Sequence, residues 1–316
     1  MGPVITVQEP AAWIDGRLDG QIRDVRQPQP ADGRPSGAVL RMGRDDDGPL
    51  LAMSIEARMF PRKAPVHLHK SDTFRMALGA PIVVGRTTYD HGEFRLQAAD
   101  TFYGPERWTD EVGTNQLLLI ADRRGAKPYL PTAHEQALAD AALGDHGSVR
   151  GVTMLARDAV VDHAIGTTLG RPLRAGHLDA GFSDTSNWAP LSDGTRITVM
   201  ALGDRDHGPV VVGWDRPAAA RQWPAFCVDT DLVRLVVSGS VEIGGAAIVR
   251  LGFCLQQGGT VQPASRPGPG GVRELWILAD RRGWPPSYPG GPDDSQGVVL
   301  AEVETEVGVA LATVAR

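Results

Sequence analysis

The sequence predicts an all-β protein that consists of two similar barrels in tandem, joined by a short helix. Gly (38 residues) and Pro (24 residues) are frequent over the 316-residue length, so many short elements joined by turns are expected. An internal repeat keeps nearly the same offset over a long stretch of the chain. Within each half, short apolar runs alternate with Gly, Pro and Asp, a pattern that is typical of a small barrel or jelly roll.

The internal repeat is clearest in two pairs of segments. LLLIADRRGAKPYL (117–130) returns as LWILADRRGWPPSY (275–288), an offset of 158 residues. RMGRDDDGPLLA (41–52) returns as ALGDRDHGPVVV (201–212), an offset of 160 residues. Because the offset changes so little, we infer a tandem duplication, and we expect the two halves to share one fold.

The predicted domains follow from this repeat. An N-terminal barrel is expected over 1–130, a linker helix within 131–150 and a C-terminal barrel over 151–316. Thr132 and Glu135 have the spacing of a capping box at the start of the linker helix, and Gly144 suits its end. In the first half, YDHG (89–92) is predicted to be the hairpin turn between PIVVGRTTY and GEFRLQ.

Composition narrows the range of partners and locations. A formal net charge of −6 argues against nucleic acid as the main partner, because phosphate backbones are bound by concentrated basic surfaces. Two cysteines, Cys227 and Cys254, are too few for a disulfide framework and fit a reducing compartment. No apolar stretch approaches the roughly 18 residues of a membrane span, and the first residues lack the features of a signal peptide. A soluble, cytoplasmic protein without a membrane partner is expected.

The most informative local motif is Val66-His67-Leu68-His69. On a strand, residues i and i+2 project from the same face, so both imidazoles point the same way. Inside a small barrel that face lines the interior, where two imidazoles provide half of a site for Zn, Fe, Mn or Ni. The alternative is a chance pair of histidines on an exposed face.

The surrounding sequence resembles the paired motifs of the cupin superfamily. The segment HLHKSDTFRMALGAPIVVG is followed by a predicted hairpin and then by LQAADTFYGPERW. The resemblance implies two cupin barrels, each a double-stranded β-helix or jelly roll, and therefore a bicupin. The matching residues are His67 and His69 for the two motif histidines, Gly79 for the motif glycine, and Asp100 and Pro105 for the second motif.

The sequence also departs from the family pattern at the metal ligands. Thr73 stands where the family has a metal-binding glutamate, and the histidine of the second motif is absent. Asp110, with Glu111 beside it, falls near the position of that histidine. A triad of His67, His69 and Asp110 or Glu111 would suit non-haem Fe(II), so one divalent ion (Fe, Mn, Ni or Zn) is the expected cofactor. The alternative is that the metal site has decayed and the histidines serve as hydrogen-bonding or acid–base groups.

Arg75 has the strand parity of the two histidines, so it should face the interior. A guanidinium cannot lose its charge there, and it needs an anionic partner. One interpretation is a clamp for an anionic substrate, and the other is an internal salt bridge with Asp110, Glu111 or Asp72. Arg234 resembles Arg75 in the second half, but its distance to the following glycine differs by one residue. A slip of one residue would turn Arg234 outward.

Other candidates surround the second motif. Tyr103 is a candidate proton donor, and Thr73, Arg107 and Trp108 are candidate substrate contacts, with simple packing as the alternative for the aromatic residues. His91 is predicted to be solvated at a hairpin tip. In the second half CVDTD (227–231) replaces the histidine motif and is only a weak metal signal, so this barrel is expected to be structural.

These observations predict an enzyme that acts on a small anionic or oxygenated organic molecule in the N-terminal barrel. His67 and His69 would be metal ligands or an acid–base pair, Asp110 or Glu111 a third ligand or base, and Arg75 an anion clamp. The resemblance implies dioxygenase, isomerase, cyclase or decarboxylase chemistry, and a homodimer is a further expectation. The alternative is a non-catalytic bicupin that binds or senses a small molecule.

Overall fold

The structure is a computed structural model that describes residues 5–8, 37–43, 47–54, 63–108, 116–133, 135, 148–150, 165–171, 173, 176–204, 206–291 and 293–314. Strands dominate these residues, and the longest helix lies at their C-terminal end. The predicted all-β class is confirmed.

The strands of the first half are short and are separated by turns. A 3-10 helix (Arg123–Gly125) follows the eleventh strand. The strands are β1 (Ile5–Gln8), β2 (Gly37–Arg41), β3 (Leu50–Ser54), β4 (Lys63–Ala64), β5 (Thr73–Ala77), β6 (Ile82–Val84), β7 (Thr87–Tyr89), β8 (Glu93–Gln97), β9 (Thr101–Tyr103), β10 (Glu106–Trp108), β11 (Gln116–Ile120) and β12 (Ser148–Arg150).

The second half contains longer strands and the helix α1 (Asp294–Val314). A second 3-10 helix (Arg281–Gly283) follows its last strand. The strands are β13 (Gly166–Thr167), β14 (His177–Gly181), β15 (Ala189–Pro190), β16 (Arg196–Ala201), β17 (Val210–Arg216), β18 (Phe226–Cys227), β19 (Leu232–Ile243), β20 (Ala246–Val249), β21 (Phe253–Gln256), β22 (Val261–Gln262) and β23 (Ser265–Leu278).

The two halves repeat one strand order. The first half has the order β8-β5-β11-β3-β2, and the second half has β21-β19-β23-β17-β16, with antiparallel pairing throughout. The register repeats as well, since Arg75 lies opposite Leu118 and Arg234 lies opposite Trp276. The duplication that the sequence indicates is therefore present in the topology.

Each of these sheets takes an edge strand from the other half of the sequence. Strand β14 pairs with β8 of the first half, and β1 pairs with β21 of the second. The sheets therefore do not follow a division of the chain at 131–150. A sequence repeat locates duplicated segments, but it does not show which sheet an edge strand joins.

The main hydrophobic core lies between the sheets of the two halves. Phe74 and Met76 on β5 point into this core, where they pack in one cluster with Val233 and Leu235 of β19. Because strand residues alternate, Arg75 points to the opposite face. That face is covered by a four-stranded sheet, β4-β10-β6-β7, whose apolar residues cluster around Ala77. We call the space between these two sheets the first interior.

The predicted hairpin at 89–92 is wrong in its pairing. Strands β6 and β7 form the hairpin instead, around Gly85 and Arg86, while 89–92 crosses from one sheet to the other. His91 in this crossing is half-buried, not solvated. Its Nδ1 accepts a hydrogen bond from Gly79 N at 3.0 Å, and its Nε2 lies 2.8 Å from the carbonyl oxygen of Val237. The ring therefore links the first half to the second.

The repeated motif Asp-Arg-Arg-Gly has a structural role. Asp122 and Asp280 cap their own 3-10 helices by accepting from the second following backbone N–H. The glycine of each motif lies against a neighbouring chain segment: a Cβ on Gly125 would lie 2.7 Å from Ser71 Cβ, and one on Gly283 would lie 2.6 Å from Thr230 Cγ2. No larger residue fits at either position without displacement of backbone, so both halves retain glycine.

Two aspartates hold the halves together reciprocally. Asp72 of the first half accepts a hydrogen bond from Gly203 N at 2.9 Å, and Asp231 of the second accepts one from Gly43 N at 2.8 Å. Each aspartate also accepts from a loop of its own half, namely Ala99 N and Gly258 N. We call these paired contacts the aspartate clamp. They explain why Asp72 does not face the first interior.

The two helical segments differ in how well the sequence predicts them. The predicted capping box of the linker is present, since Thr132 N donates to Glu135 Oε2 at 2.7 Å and Glu135 N donates to Thr132 Oγ1 at 3.3 Å. Most of the predicted helix lies outside the described residues. Helix α1 was not predicted, because its many valines are typical of strands. Its signal was the capping pair of Asp293 and Gln296, whose backbone and side chains bond reciprocally.

Substitution of Asp72 by Ala is expected to destabilise the protein strongly. The change leaves Gly203 N and Ala99 N without this acceptor, at about 1–3 kcal/mol for each buried N–H. Urea unfolding of Asp72→Ala beside Asp229→Ala, an exposed aspartate of the second half, measures the difference. Equal unfolding free energies for the two variants would contradict the role of the clamp.

Candidate functional site

His67 and His69 lie side by side in the first interior. The segment that carries them is held by isolated β-bridges. In one of these, the backbone of His67 exchanges two hydrogen bonds with the backbone of Tyr103, at 3.1 and 3.0 Å. The two ring centroids are 5.4 Å apart in an edge-on arrangement. Both side chains are buried, so the sequence pattern has placed two imidazoles within the protein.

The surroundings of the pair favour neutral imidazoles. The pKa of His67 is lowered to about 4, chiefly by burial and to a smaller extent by the charge of Arg75, while the hydrogen bond to Pro65 O opposes this shift. Burial lowers the pKa of His69 to about 3, with smaller contributions from His67 and Arg75. The Nδ1 of His67 donates to Pro65 O at 2.8 Å, so its Nε2 carries the free lone pair.

Arg75 forms a buried ion pair with Glu106. Its Nη1 contacts Glu106 Oε1, and its Nη2 donates to the hydroxyl of Tyr103 at 2.9 Å. The expected salt-bridge partners were Asp110, Glu111 or Asp72, and Asp72 is wrong because it belongs to the aspartate clamp. Glu106 was missed, although the alternation in Glu106-Arg107-Trp108 is a usable signal that Glu106 and Trp108 share the inner face.

The alternation of inner and outer residues along the strands also decides which of the other predicted substrate contacts face the first interior. Thr73 and Trp108 are buried, and Trp108 packs in the cluster around Ala77. Arg107 is exposed and donates to Gly85 O at 3.4 Å, so it does not join the site as predicted. Asp110 and Glu111 lie outside the described residues, and their proposed roles stay predictions.

A second buried guanidinium in the first interior was not predicted. Arg95 on β8 lies directly opposite Arg75 on β5, so the two side chains share the inner face. Its Nη1 donates to the Tyr89 hydroxyl at 3.0 Å, and its Nε donates to Gln97 Oε1 at 3.2 Å. The Tyr89 hydroxyl in turn donates to Asp179 Oδ1 at 2.8 Å. Parity within GEFRLQ could have identified Arg95, but Asp179 comes from the exchanged strand β14.

In the second half, Arg234 is buried and not turned outward. A register shift in β19 between Val236 and Ser238 absorbs the additional residue before Gly239, so Arg234 keeps its inner face. Its Nη2 donates to Glu274 Oε2 at 2.7 Å, and Arg216 Nη1 contacts the other oxygen of Glu274 at 3.3 Å.

The CVDTD segment of the second half does not form a shared polar face. Asp229 is exposed, Cys227 is half-buried, and Asp231 belongs to the aspartate clamp. The weak metal signal of this segment is therefore explained by a structural role of one of its aspartates.

The chemistry of the histidine pair fits nitrogen donors for a metal ion. His67 presents its Nε2, and Nδ1 of His69 is buried without a hydrogen-bond partner. Metal ligation needs the neutral imidazole, which burial already favours. Among the described residues no group of three His, Cys, Asp or Glu side chains is arranged to hold an ion. Glu106 is engaged by Arg75, and the third ligand expected at Asp110 or Glu111 lies outside the described residues.

The two larger clefts among the described residues lie away from the histidine pair. One of about 270 Å³ lies between the repeats and is lined by residues such as Asp47, Asp122, Asp204 and His207. Another of about 300 Å³ is lined by residues that include Tyr89 and Asp179. The first surrounds the aspartate clamp, and the second borders the residues that contact Arg95.

Comparisons with known proteins give distant similarities. No family model and no curated protein matches the chain. Salicylate 1,2-dioxygenase from Pseudaminobacter salicylatoxidans is similar in structure, with a TM-score of 0.47 and 13% identity, over 88% of this chain and 85% of that one. A variant of Bacillus subtilis oxalate decarboxylase has a TM-score of 0.42 and 11% identity, over 95% and 88%.

In the described part of the chain, no helix has both the length and the apolar character that a membrane span requires. The expected cytoplasmic location and homodimer stay predictions.

The low histidine pKa values predict how stability depends on pH. Between pH 6.5 and about 4 the unfolded chain binds protons that the folded histidines do not bind, so stability is full above pH 6.5 and falls on acidification. Each histidine contributes a slope of up to about 1.4 kcal/mol per pH unit. Urea unfolding between pH 4 and 8 should give a flatter profile for His67→Gln/His69→Gln than for the natural sequence. Parallel profiles would show that the pair titrates normally.

The ion pair predicts strong coupling between Arg75 and Glu106. Glu106→Gln leaves a buried guanidinium without its carboxylate and should cost about 3–5 kcal/mol. The double variant Arg75→Gln/Glu106→Gln removes both charges and should be less destabilised than the sum of the single changes. Arg107→Gln, an exposed neighbour on the same strand, is the control. Additive losses in urea unfolding would show that the pair is not coupled.

Proposed function

We propose that the N-terminal half is a cupin-type enzyme that acts on a small, anionic or oxygenated organic molecule beside His67 and His69. The observation that carries this proposal is a buried set of unlike polar groups: two neutral imidazoles, the Arg75–Glu106 ion pair and the Tyr103 hydroxyl. Burial of such groups is unfavourable for folding, and strongly shifted pKa values are typical of functional sites.

Two atoms of this set are suited to proton transfer. The Tyr103 oxygen accepts from Arg75 Nη2, so its own proton is available to an oxygen atom of the ligand. His67 Nε2 is the complementary acceptor, and the His67 and Tyr103 ring centroids are only 4.4 Å apart. A hydroxyl donor beside an imidazole acceptor suits proton movement within one bound molecule, as in isomerase or cyclase chemistry.

The other form of the proposal uses the same nitrogen lone pairs for one divalent ion, Fe, Mn, Ni or Zn, held by His67, His69 and Asp110 or Glu111, and His67 Nε2 then accepts no proton. When bound, such an ion supplies a Lewis acid or an O₂ site, which is the requirement of decarboxylase or dioxygenase chemistry. The residues of the chain would hold the ion, exclude water from it and present Arg75 and Tyr103 to the oxygen atoms of the ligand.

A non-catalytic small-molecule-binding protein is the second candidate. One observation favours it: Arg75 and Glu106 neutralise each other, so both charges are satisfied before any ligand arrives. Product formation from a bound molecule separates the two functions, since a binding protein returns its ligand unchanged.

Metal analysis tests the proposed centre. The purified protein is expected to hold about one equivalent of a divalent ion, and His67→Ala/His69→Ala should lose it, because both nitrogen donors are removed. His207→Ala is the matched control, since His207 lies 3.0 Å from an aspartate in the cleft between the repeats. Loss of the ion in the control instead would place it in that cleft.

A ligand screen complements the metal analysis. Small oxygenated organic acids are tested for heat stabilisation of the protein and for conversion to product. Tyr103→Phe should keep binding but lose conversion at least about a hundredfold, as expected for loss of a general acid. Conversion that survives both Tyr103→Phe and His67→Ala/His69→Ala would contradict the proposed site.

A further inference from the structure

Arg95 is a buried cation without a direct counter-ion. Its side chain is only 2% exposed. Among the residues that the structure describes, its hydrogen-bond acceptors are the neutral Tyr89 hydroxyl and Gln97 Oε1, and its Nη2 has no partner. A guanidinium keeps its charge at any pH at which the protein is folded, so this charge must be compensated in another way.

Arg95 is linked to the carboxylate of Asp179 only through an intervening hydroxyl group. Tyr89 joins Arg95 to Asp179, and the Asp179 side chain is 36% exposed on the edge strand β14. Solvent screens the charge of such a group, and the intervening hydroxyl increases its distance from Arg95. The charge of Arg95 helps to lower the pKa of Asp179, but Asp179 compensates the buried guanidinium only through the intervening Tyr89 hydroxyl.

Arg75 and Arg95 differ in this respect although they lie opposite each other. Arg75 contacts Glu106 directly and has a tyrosine hydroxyl as a second partner. Like charges at directly opposite strand positions repel each other. Glu106 neutralises the charge of Arg75, and among the described residues no carboxylate directly contacts Arg95, so one positive charge of the pair stays without a direct counter-ion. An anion placed beside Arg95 would remove this imbalance.

We propose that Arg95 is the carboxylate-binding residue of the first interior, and that the ligand is an organic carboxylate whose remaining part extends toward Arg75 and Tyr103. The inference rests on the proposed function, because it requires that the first interior receives a ligand. It differs from the anion-clamp role expected for Arg75, because Glu106 already neutralises the charge of Arg75. The free Nη2 of Arg95 supplies the donors, and the planar guanidinium matches the two oxygen atoms of a carboxylate.

An open space lies next to this group. The cleft of about 300 Å³ is lined by Tyr89 and Asp179, and Arg95 donates to the Tyr89 hydroxyl. The exposed Arg171 also lines this cleft, together with the carboxylates of Glu93 and Asp184. Because these carboxylates repel an anion, the proposed carboxylate is bound at Arg95 itself, behind Tyr89, and not in the cleft.

Carboxylate titration of the full chain tests the proposal. Acetate, malonate and benzoate are titrated separately, with inorganic phosphate and chloride as other anions, and the shift in the unfolding temperature gives the affinity. At least one carboxylate is expected to stabilise the natural sequence. Arg95→Gln should weaken its affinity by about ten- to a hundredfold, because a hydrogen bond to a charged group is lost. Arg95→Lys, which keeps the charge but not the fork, should lie between the two.

Two further variants identify the binding residue. Arg75→Gln/Glu106→Gln removes the neighbouring ion pair as a unit and should weaken carboxylate affinity less than Arg95→Gln does, whereas a clamp at Arg75 would reverse this order. Arg250→Gln, at an exposed arginine of the second half, should match the natural sequence. Circular dichroism confirms that each variant is folded, and Arg95→Lys provides the test if Arg95→Gln is not.

The outcomes separate this inference from the proposed function. Equal carboxylate affinity in the natural sequence and Arg95→Gln, or stabilisation by phosphate alone, would overturn the role of Arg95. The same follows if no carboxylate binds the natural sequence. In each case the metal content and the effect of His67→Ala/His69→Ala still decide the proposed function. Carboxylate binding without a divalent ion or any product would support Arg95 and count against the enzyme.

Discussion

The burial of strand β5 on both faces is the constraint on which the other features depend. All five of its residues are buried. Its alternation sends Phe74 and Met76 into the core between the halves and Thr73 and Arg75 into the first interior. A guanidinium at that position cannot discharge, so the facing sheet must supply an anion. Glu106 of that sheet meets this need, Tyr103 on β9 accepts a hydrogen bond from the same guanidinium, and the histidine segment is held against Tyr103 by backbone hydrogen bonds. One strand therefore fixes both the interface of the halves and the polar layout of the site.

The segments that are most alike in the two halves are those that join them. The Asp-Arg-Arg-Gly turns and the loops that receive the aspartate clamp recur, and their contacts are reciprocal across the two halves. The polar side chains of the interiors differ instead, since His67 and His69 have no histidine counterparts in CVDTD. Contacts between the halves constrain both copies at once, whereas each interior is free to change on its own. A duplicated chain can in this way keep its architecture while one copy carries a site.

The sequence predicted features that depend on local alternation and missed those that depend on distant pairing. The parity of His67, His69 and Arg75 is a property of neighbouring residues, and the structure places these three side chains together. Glu106 and Arg95 have the correct parity in their own strands, but their link to the site needs the facing sheet and the neighbouring strand. The burial of Arg234 depends on a register shift that no residue count reveals. The third metal ligand, predicted at Asp110 or Glu111, lies outside the described residues.

A comparison of the two interiors indicates why the first is the better candidate for a ligand. In the second, Arg216 and Arg234 both contact Glu274 directly, Arg216 also lies over the Trp223 ring, and Trp214, Trp223, Trp276 and Phe226 pack against one another. The Arg234 guanidinium lies 4.5 Å from the centroid of the Trp276 ring, which provides further cation stabilisation. In the first, Arg75 contacts a carboxylate directly and Arg95 does not, Leu118 stands at the register position of Trp276, and two buried imidazoles lie beside Arg75. An interior that fixes both of its cations by internal contacts needs no ligand for that purpose. An interior that leaves a cation without a direct counter-ion offers a specific interaction to an anion. Although the two halves share one strand order, this difference in charge compensation favours the first half as the one that binds a ligand.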